Sequence, residues 1–347
     1  EETPKGPPIP PPPHVVRNKA PWRRIEFSCF SQTGDDGLLA RVYGVLGWGN
    51  RRSVEIGYAP HEGNSVNLIL SYGFEGLLLD GYTDELVAGA WFTSIANYSS
   101  VVRADLARRS KGEKSRLGQY GADLVTADDM RMKCAPMCAP ECYNVHCNGA
   151  SLSFTPPKIK RAFLTKANLR GIIEGAFQGS QVWDNFGIDY FSIDIDGMEY
   201  HLLEHILSDG FRPRVVTSEF ASHLGPRLSV TRPYSEDFSA GSQTWQYGAS
   251  AQALYKLLKR YGYRFIGCVD WNVYFIAEHE LPKGSVGDRA FPAQETDVCF
   301  YQDPGTLRSE RERLLKAVQV PWVEVETKEG SRPRNWDNLR DAMLNQH

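Results

Sequence analysis

Two carboxylates follow a short apolar run in the sequence FSIDIDGMEY, where Asp194 and Asp196 stand two residues apart. Alternation along a strand would point both side chains to the same side. Such a pair can take a proton from a hydroxyl group, or can share a divalent cation with a third acid. Glu219, near the end of the apolar run RPRVVTSEF, is the candidate for the third position. We therefore predict that these three acids are catalytic or bind a cation, although Asp196 could instead close a turn and cap the next helix.

Acids at the ends of two earlier strands indicate a nucleoside-binding site. Glu55 and Gly57 stand at the end of the first predicted strand, and Asp80 ends the second about 25 residues later. In nucleotide-binding sheets a glycine here lets the backbone approach the ligand, and an acid on the second strand holds the ribose hydroxyls. Asn64, at the start of the intervening helix, would offer free N–H groups. Because GYAPHEG lacks the glycines of a phosphate-binding loop, we expect a nucleoside without a pyrophosphate.

The elements that must position these acids follow from the hydrophobic pattern. Short apolar runs bounded by turn residues alternate with segments of helical spacing, which is typical of a parallel sheet wrapped by helices. Ligands bind at the carboxyl ends of such strands, so acids at several strand ends indicate one site. We predict an α/β fold with a mostly parallel seven-stranded sheet and helices on both faces. The predicted strands are 52–60, 75–82, 157–165, 187–197, 212–220, 264–269 and 272–279, and the predicted helices are 36–47, 64–73, 83–96, 166–177, 198–210 and 248–263.

Composition divides the chain into an arm, a domain with an insertion, and an extension. The Pro-rich arm over 1–21 cannot form a helix and should be extended. The α/β domain spans 22–280, and the stretch 104–155 within it lacks periodicity and is too long for an ordinary loop, so we expect an insertion there. Residues 281–347 form a C-terminal extension. The arm or the extension could contact a protein partner, although packing of the extension on the sheet is the simpler expectation.

Four cysteines crowd together in the insertion. Disulfides in an oxidising compartment or zinc in a reducing one would explain them, and the lack of paired Cys-x-x-Cys knuckles favours disulfides. Asn97 lies in the glycosylation sequon NYS, and the chain starts with Glu rather than Met. We therefore expect a secreted or luminal (ER/Golgi) protein; the alternative is a mitochondrial or plastid protein after transit-peptide removal, for which zinc would be favoured. The cysteines are Cys134, Cys138, Cys142 and Cys147.

The overall composition argues against two classes of protein. The formal net charge of the 347 residues is −3, which provides no strong attraction to nucleic acid. No run of about 18 apolar residues is present, so we expect no transmembrane segment. A hydrophobic content of 41% and an aromatic content of 12% are those of a folded globular chain.

Seven motifs follow one another along the chain, namely FSQTGDDGLL, VEIGYAPHEGNSVNLIL, EGLLLDG, RAFLTKANL, IDYFSIDIDGMEYHLL, RPRVVTSEF and GASAQALYKLLKRYGYRFIGC. In sequence and order they resemble the motifs of FkbM-type S-adenosylmethionine-dependent methyltransferases. The resemblance covers residues 26–280, interrupted by the Cys-rich insertion. It implies the Rossmann-like class I methyltransferase fold with S-adenosylmethionine as cofactor. Members of this family mostly methylate hydroxyl oxygens of sugars or secondary metabolites.

The resemblance also implies roles for individual residues. Asp80 would hold the ribose hydroxyls, Asp194 would lie beside the methyl sulfonium, and Phe163 to Thr165 would flank the adenine. Gln32, together with the GDDG turn, would close over the cofactor. The residues expected to bind the cofactor are Gln32, Glu55, Gly57, Asn64, Asp80, Thr165 and Asp194.

Three functions are consistent with the sequence. The first is an S-adenosylmethionine-dependent O-methyltransferase acting on a hydroxyl of a glycan or small metabolite. The second is a non-catalytic, methyltransferase-like structural or binding subunit of a larger assembly, which would suit the Pro-rich arm and the unusual GYAPHEG loop. The third is a glycosyltransferase that uses the Asp-Ile-Asp sequence to hold a cation under a nucleotide-sugar. The first is preferred because the motifs before and after Asp194 follow the methyltransferase order.

Overall fold

The computed structural model describes residues 30–31, 33–58, 63–82, 85, 88–89, 92, 155–177, 182–183, 187–226, 228–238, 248–300, 322–326 and 330–333. The chain divides into two compact units, Glu1–Phe163 and Leu164–His347. Several predictions concern residues outside the described ranges. These are the arm over 1–21, Gln32, the sequon at Asn97, nearly all of the insertion over 104–155, and within it Cys134, Cys138, Cys142 and Cys147.

The first unit contributes three parallel strands. Strand β1 pairs with β2, and β2 pairs with β3. The middle residues of β1 and β2 are buried, as expected for strands covered on both faces. Helix α2 ends at Gly73, whose left-handed conformation stops the helix. The elements in chain order are α1 (Asp35–Leu46), β1 (Arg52–Ile56), α2 (Val66–Tyr72), β2 (Glu75–Asp80) and β3 (Lys158–Arg161).

The second unit contributes four further strands and a small additional sheet. Strand β4 is parallel to β5, whereas β8 is antiparallel to both β5 and β7. The additional sheet is antiparallel, in the order β10-β9-β6. The elements in chain order are α3 (Leu169–Ala176), β4 (Tyr190–Ile193), α4 (Glu199–Ser208), β5 (Val215–Glu219), β6 (Val230–Thr231), α5 (Ala251–Arg260), β7 (Tyr263–Val269), β8 (Asn272–Ala277), α6 (Ser285–Ala290), β9 (Val323–Glu326) and β10 (Gly330–Pro333).

The α/β fold with a mostly parallel seven-stranded sheet is confirmed. The first unit supplies β3, β2 and β1 to this sheet in that order, and the second supplies β4, β5, β8 and β7. The run 187–197 is a strand only over Tyr190–Ile193, so its two acids lie beyond the strand end. The additional sheet is not predicted from the sequence, because β6 has only two residues and the other two strands fall in the C-terminal extension.

A disulfide joins the C-terminal extension to the sheet. Cys268 in β7 is bonded to Cys299 in the 3₁₀ helix Thr296–Phe300. Nearby, the Gln294 side-chain amide donates to the carbonyl of Ile266 in the same strand at 3.1 Å. Strand β7 is last in the strand order of the sheet and would otherwise present an open edge. The extension therefore covers part of that edge.

The disulfide bears on the predicted location of the protein. Such bonds form and persist mainly in oxidising compartments, so the bond is compatible with a secreted or luminal protein. Within the described part of the chain, no helix combines the length and the apolar character needed to cross a bilayer. The location itself stays a prediction.

Removal of this bond should lower stability measurably. The bonded cysteines are 31 residues apart, and the chain-entropy model assigns about 3–4 kcal/mol to closing such a loop. We expect the C268A/C299A variant to lose roughly this free energy of unfolding in urea. Dithiothreitol should bring the wild type toward the variant. An unfolding midpoint unchanged in the variant would contradict the expectation.

Candidate functional site

A buried acid at the end of β1 organises the first unit. Glu55 accepts hydrogen bonds from the N–H groups of Asn64 at 2.6 Å and Ser65 at 2.9 Å, and from the Ser65 hydroxyl. These donors stand at the start of α2, whose N-cap residue is Ser65. The expectation that Asn64 offers free N–H groups is therefore wrong, because the strand acid already pairs them.

Burial controls the charge of this acid. Burial raises the pKa of Glu55 to about 7, and the nearby charge of Asp35 contributes to this increase. The hydrogen bonds from Ser65 and Asn64 act in the opposite direction and lower the pKa. The carboxyl group is therefore partly ionised near neutral pH. A negative charge at the start of a helix opposes the binding of phosphate, which commonly occupies such positions. The first unit thus suits a ligand that carries no phosphate.

Next to this acid, the ends of β1 and β2 present a glycine and an accessible carboxylate. Gly57 has a φ of +84°, a conformation that side chains disfavour, and its N–H donates to the Leu79 carbonyl at 2.8 Å. Asp80 is the last residue of β2 and is half-buried. Its Oδ1 accepts the N–H of Tyr82 at 2.6 Å, which holds the carboxylate in place. A carboxylate that is held but accessible can accept hydrogen bonds from a ligand diol.

Two exposed aromatic side chains stand beside this carboxylate. Tyr82 is 67% exposed and Phe163 is 61% exposed, and their rings meet edge to face at a centroid distance of 5.2 Å. Gly81 lies against the Phe163 ring, where an added Cβ would come within 2.7 Å of it. Tyr82 is not singled out by the sequence, although its place two residues after Asp80 is the signal that could have identified it.

In the second unit, Asp194 and Asp196 lie in a turn after β4. Asp196 has a φ of +57° and is exposed, whereas Asp194 is half-buried. The argument that strand alternation points both to one side is therefore wrong, because the strand has already ended at Ile193. Nor does Asp196 cap α4, since the N-cap residue is Met198 and no side-chain cap hydrogen bond is present.

Glu199 in the first turn of α4 holds this turn. One of its carboxylate oxygens accepts the N–H of Gly197 at 2.7 Å and that of Ile195 at 3.1 Å. The other, Oε2, is buried and has no hydrogen-bond partner among the described residues. Burial raises the pKa of Glu199 to about 7, and the charge of Asp196 adds to the increase. The hydrogen bonds from these amides lower the pKa and offset part of the increase. The spacing Asp-x-x-Glu over DGME is the capping-box pattern that could have revealed it.

Glu219 and Asp194 form a hydrogen-bonded pair. Ile193 pairs with Ser218 across β4 and β5, so the residue after each lies at the same sheet edge. Burial raises the pKa of Glu219 well above its usual range, and the charge of Asp194 and its hydrogen bond with Glu219 raise it further. Glu219 therefore favours its protonated form more than an exposed glutamate does, and its hydroxyl group donates the hydrogen bond to Asp194. A pair that holds one proton can take up a second from a bound hydroxyl group.

The metal prediction receives no support from the geometry. Among the described residues, which include Asp194, Asp196 and Glu219, no group of three or more His, Cys, Asp or Glu side chains is arranged to hold a metal ion. Two carboxyl groups that share one proton also carry a single negative charge, which weakens their attraction for a cation. A divalent cation at this site therefore stays a prediction.

Thr165 belongs to the turn that starts α3. Its N–H donates to the side-chain carbonyl of Asn168 at 2.9 Å, and its carbonyl accepts the N–H groups of Asn168 and Leu169. These bonds assign its backbone to the helix start. Its hydroxyl group, on a half-buried side chain, is the part that its predicted role near the cofactor would use.

Comparison of the chain with protein-family models, with curated proteins and with solved structures found no match. The resemblance to FkbM-type methyltransferases therefore stays a prediction from the motifs. The functional proposal depends on that resemblance and on the geometry of the two units.

Ionisation of Glu55 should destabilise the fold as the pH rises. Its pKa increases from 4.5 in an unstructured chain to about 7 in the fold, so the folded protein keeps a proton that the unfolded chain releases. This stabilising contribution is complete below the lower value and is lost as the pH rises through the higher one, a loss of about 3 kcal/mol. We expect Glu55→Gln, which cannot titrate, to show a smaller decrease in unfolding free energy between about pH 5 and pH 8. Parallel profiles for variant and wild type would exclude this role.

Proposed function

We propose that the chain is an S-adenosylmethionine-dependent O-methyltransferase acting on a hydroxyl group of a glycan or small metabolite. The observation that supports the proposal most is the buried Glu55 carboxylate at the start of α2, which accepts the N–H groups of Asn64 and of the N-cap residue Ser65. Its negative charge disfavours a phosphate at this helix start, while the nearby Asp80 carboxylate is only half-buried. A nucleoside without phosphate fits such a site better than a dinucleotide does.

The residues of the first unit fit the nucleoside part of this cofactor. Asp80 would accept hydrogen bonds from the ribose hydroxyls. Gly57 would allow the backbone to approach the ligand closely, because a glycine has no side chain and so also tolerates the positive φ at this position. The exposed ring of Phe163 would contact the flat base. When bound, S-adenosylmethionine supplies a methyl group on a positively charged sulfur.

The acid pair of the second unit would move the proton. Asp194 would accept a hydrogen bond from the acceptor hydroxyl group and would take its proton. The cofactor would supply the methyl group and would leave as a neutral thioether once its carbon–sulfur bond is broken. Glu219 would stay protonated and would donate a hydrogen bond to Asp194. This bond would hold the Asp194 carboxylate in position. Glu199 acts at one remove, because it holds the turn that carries Asp194. Asp194 is thus the base, and the other two acids are positioning residues.

The glycosyltransferase alternative fits less well. Its nucleotide-sugar donor carries two phosphates, and the buried Glu55 carboxylate disfavours a phosphate at the start of α2. A glycosyltransferase would also need a cation at the Asp-Ile-Asp sequence. The two aspartates lie in a turn after β4 and not on the strand, so strand geometry does not bring their side chains together. Among the residues that the structure describes, no particular contact favours the non-catalytic alternative, and the Pro-rich arm lies outside them.

Calorimetric titration with S-adenosylhomocysteine tests the cofactor part of the proposal. The wild type should bind it, and Asp80→Ala should weaken binding by about 10- to 100-fold, the loss of hydrogen bonds to a charged group. Glu75→Ala is the matched control, because Glu75 is an acid at the opposite end of the same strand that forms surface ion pairs with Arg52 and Lys158. No heat with the wild type, or equal losses in both variants, would contradict the proposal.

Transfer of a radiolabelled methyl group from S-adenosylmethionine to a panel of neutral methyl pyranosides tests the acid pair. Asp194→Asn cannot take a proton and should lower the rate by about 10²- to 10⁴-fold. Glu219→Gln retains an N–H donor in place of the protonated acid, so its rate should stay within about tenfold of the wild type. Equal losses in the two variants would indicate that Asp194 is not the base, and no transfer by the wild type would exclude these sugars as acceptors.

A further inference from the structure

The hairpin between β7 and β8 brings a tryptophan next to the acid pair. Asn272, the first residue of β8, pairs with Glu219, the last residue of β5. The residue before it is Trp271, whose carbonyl accepts the N–H of Phe220 at 2.8 Å. Asp270 completes the turn with a φ of +43°. The backbone of Trp271 is therefore fixed beside the strand end that carries Glu219.

The side chain of Trp271 is 44% exposed. Single exposed apolar residues are common and need no explanation by themselves. The position of this one is informative, because β5 ends here with an acid that is hydrogen-bonded to Asp194. An exposed indole on a backbone that is fixed next to an acid pair brings a flat apolar side chain and polar groups to one sheet edge, as ligand sites commonly do.

A second observation indicates that these acids are gathered for a ligand. Glu199 is fully buried, and its Oε2 has no hydrogen-bond partner in the described parts of the chain. The charge of Glu199 acts on Glu219, and that of Asp196 acts on both, so the buried oxygen belongs to the same group of acids. An unsatisfied buried carboxylate oxygen is costly, and none of the described residues provides the donor that it lacks. A water molecule between this oxygen and a ligand hydroxyl group would be a donor of the right kind.

We propose that Trp271 forms the acceptor-facing wall of the site, where its ring stacks on the C–H face of a pyranose whose hydroxyl groups reach Asp194 and Asp196. This proposal rests on the proposed methyl transfer and names the binding residue for its acceptor. The apolar face of a sugar ring is flat and covers an indole, while its hydroxyl groups point outward to acceptors.

The number of acids favours a sugar over an aromatic alcohol. Asp194 is half-buried and Asp196 is exposed, so two carboxylates are accessible to a ligand at this edge. A pyranose carries several neighbouring hydroxyl groups and can donate to both at once. A phenol stacks equally well on an indole but has only one hydroxyl group, which would leave one of the two acids unused.

Saturation-transfer NMR with neutral methyl pyranosides, in the presence of S-adenosylhomocysteine, tests this assignment. Irradiation of protein aromatic protons should transfer saturation to the C–H protons on one face of the sugar ring. Trp271→Ala should reduce the transfer at least about fivefold, and Trp271→Phe should restore most of it because a ring remains. Tyr261→Ala is the matched control, because Tyr261 is a half-buried aromatic residue just before the opposite end of β7.

The outcomes distinguish the assignment of Trp271 from the proposed methyl transfer. Phenol is measured in the same way as the comparison ligand. Transfer that is unchanged in Trp271→Ala, absent for every sugar, or seen only with phenol would overturn the assignment of Trp271 as a sugar-binding residue. Equal losses in the Trp271 and Tyr261 variants would do the same. Calorimetry with S-adenosylhomocysteine on the same samples reports on the cofactor site alone, so its failure would reject methyl transfer while a Trp271-dependent sugar signal would still stand.

Discussion

Buried carboxylates that accept backbone N–H groups hold the turns on which both units depend. Asp36 accepts the N–H groups of Phe30 and Ser31. Glu55 accepts those at the start of α2, and Glu199 accepts those of the turn after β4. A buried N–H group without a partner is costly, and one carboxylate can satisfy two of them. Each acid thus stabilises a turn that would otherwise have to be solvated.

Both units combine a buried acid that holds a turn with a more accessible acid nearby. Each has an interior acid that fixes a turn, Glu55 in the first and Glu199 in the second, and an accessible acid at a strand end, Asp80 in the first and Asp194 in the second. The interior acids have raised pKa values because burial disfavours their charge. The accessible acids can contact a ligand. In the proposed function, Asp80 therefore binds the ligand and Asp194 takes the proton, whereas Glu55 and Glu199 hold the turns in place.

The seven-stranded, mostly parallel sheet was predictable because strand and helix periodicity is a local property of neighbouring residues, whereas the small additional sheet was not. The strand-end positions of Asp80 and Glu219 followed from this periodicity. Hydrogen-bond partners were not predictable, because Glu55 pairs with the backbone of Asn64 and Ser65, which are 9 and 10 residues away along the chain. Spacing alone also could not select Cys268 and Cys299 among seven cysteines, since pairing depends on which segments pack together.

The central claim is that a nucleoside without phosphate binds at the carboxyl ends of β1 and β2. Hydrogen exchange measured by mass spectrometry with and without saturating S-adenosylhomocysteine tests it most directly, because it locates the ligand along the chain. The account predicts slower exchange in peptides that contain Gly57 and Asp80 to Tyr82, with little change in peptides from α3. Unchanged exchange throughout, or protection confined to segments away from β1 and β2, would contradict it.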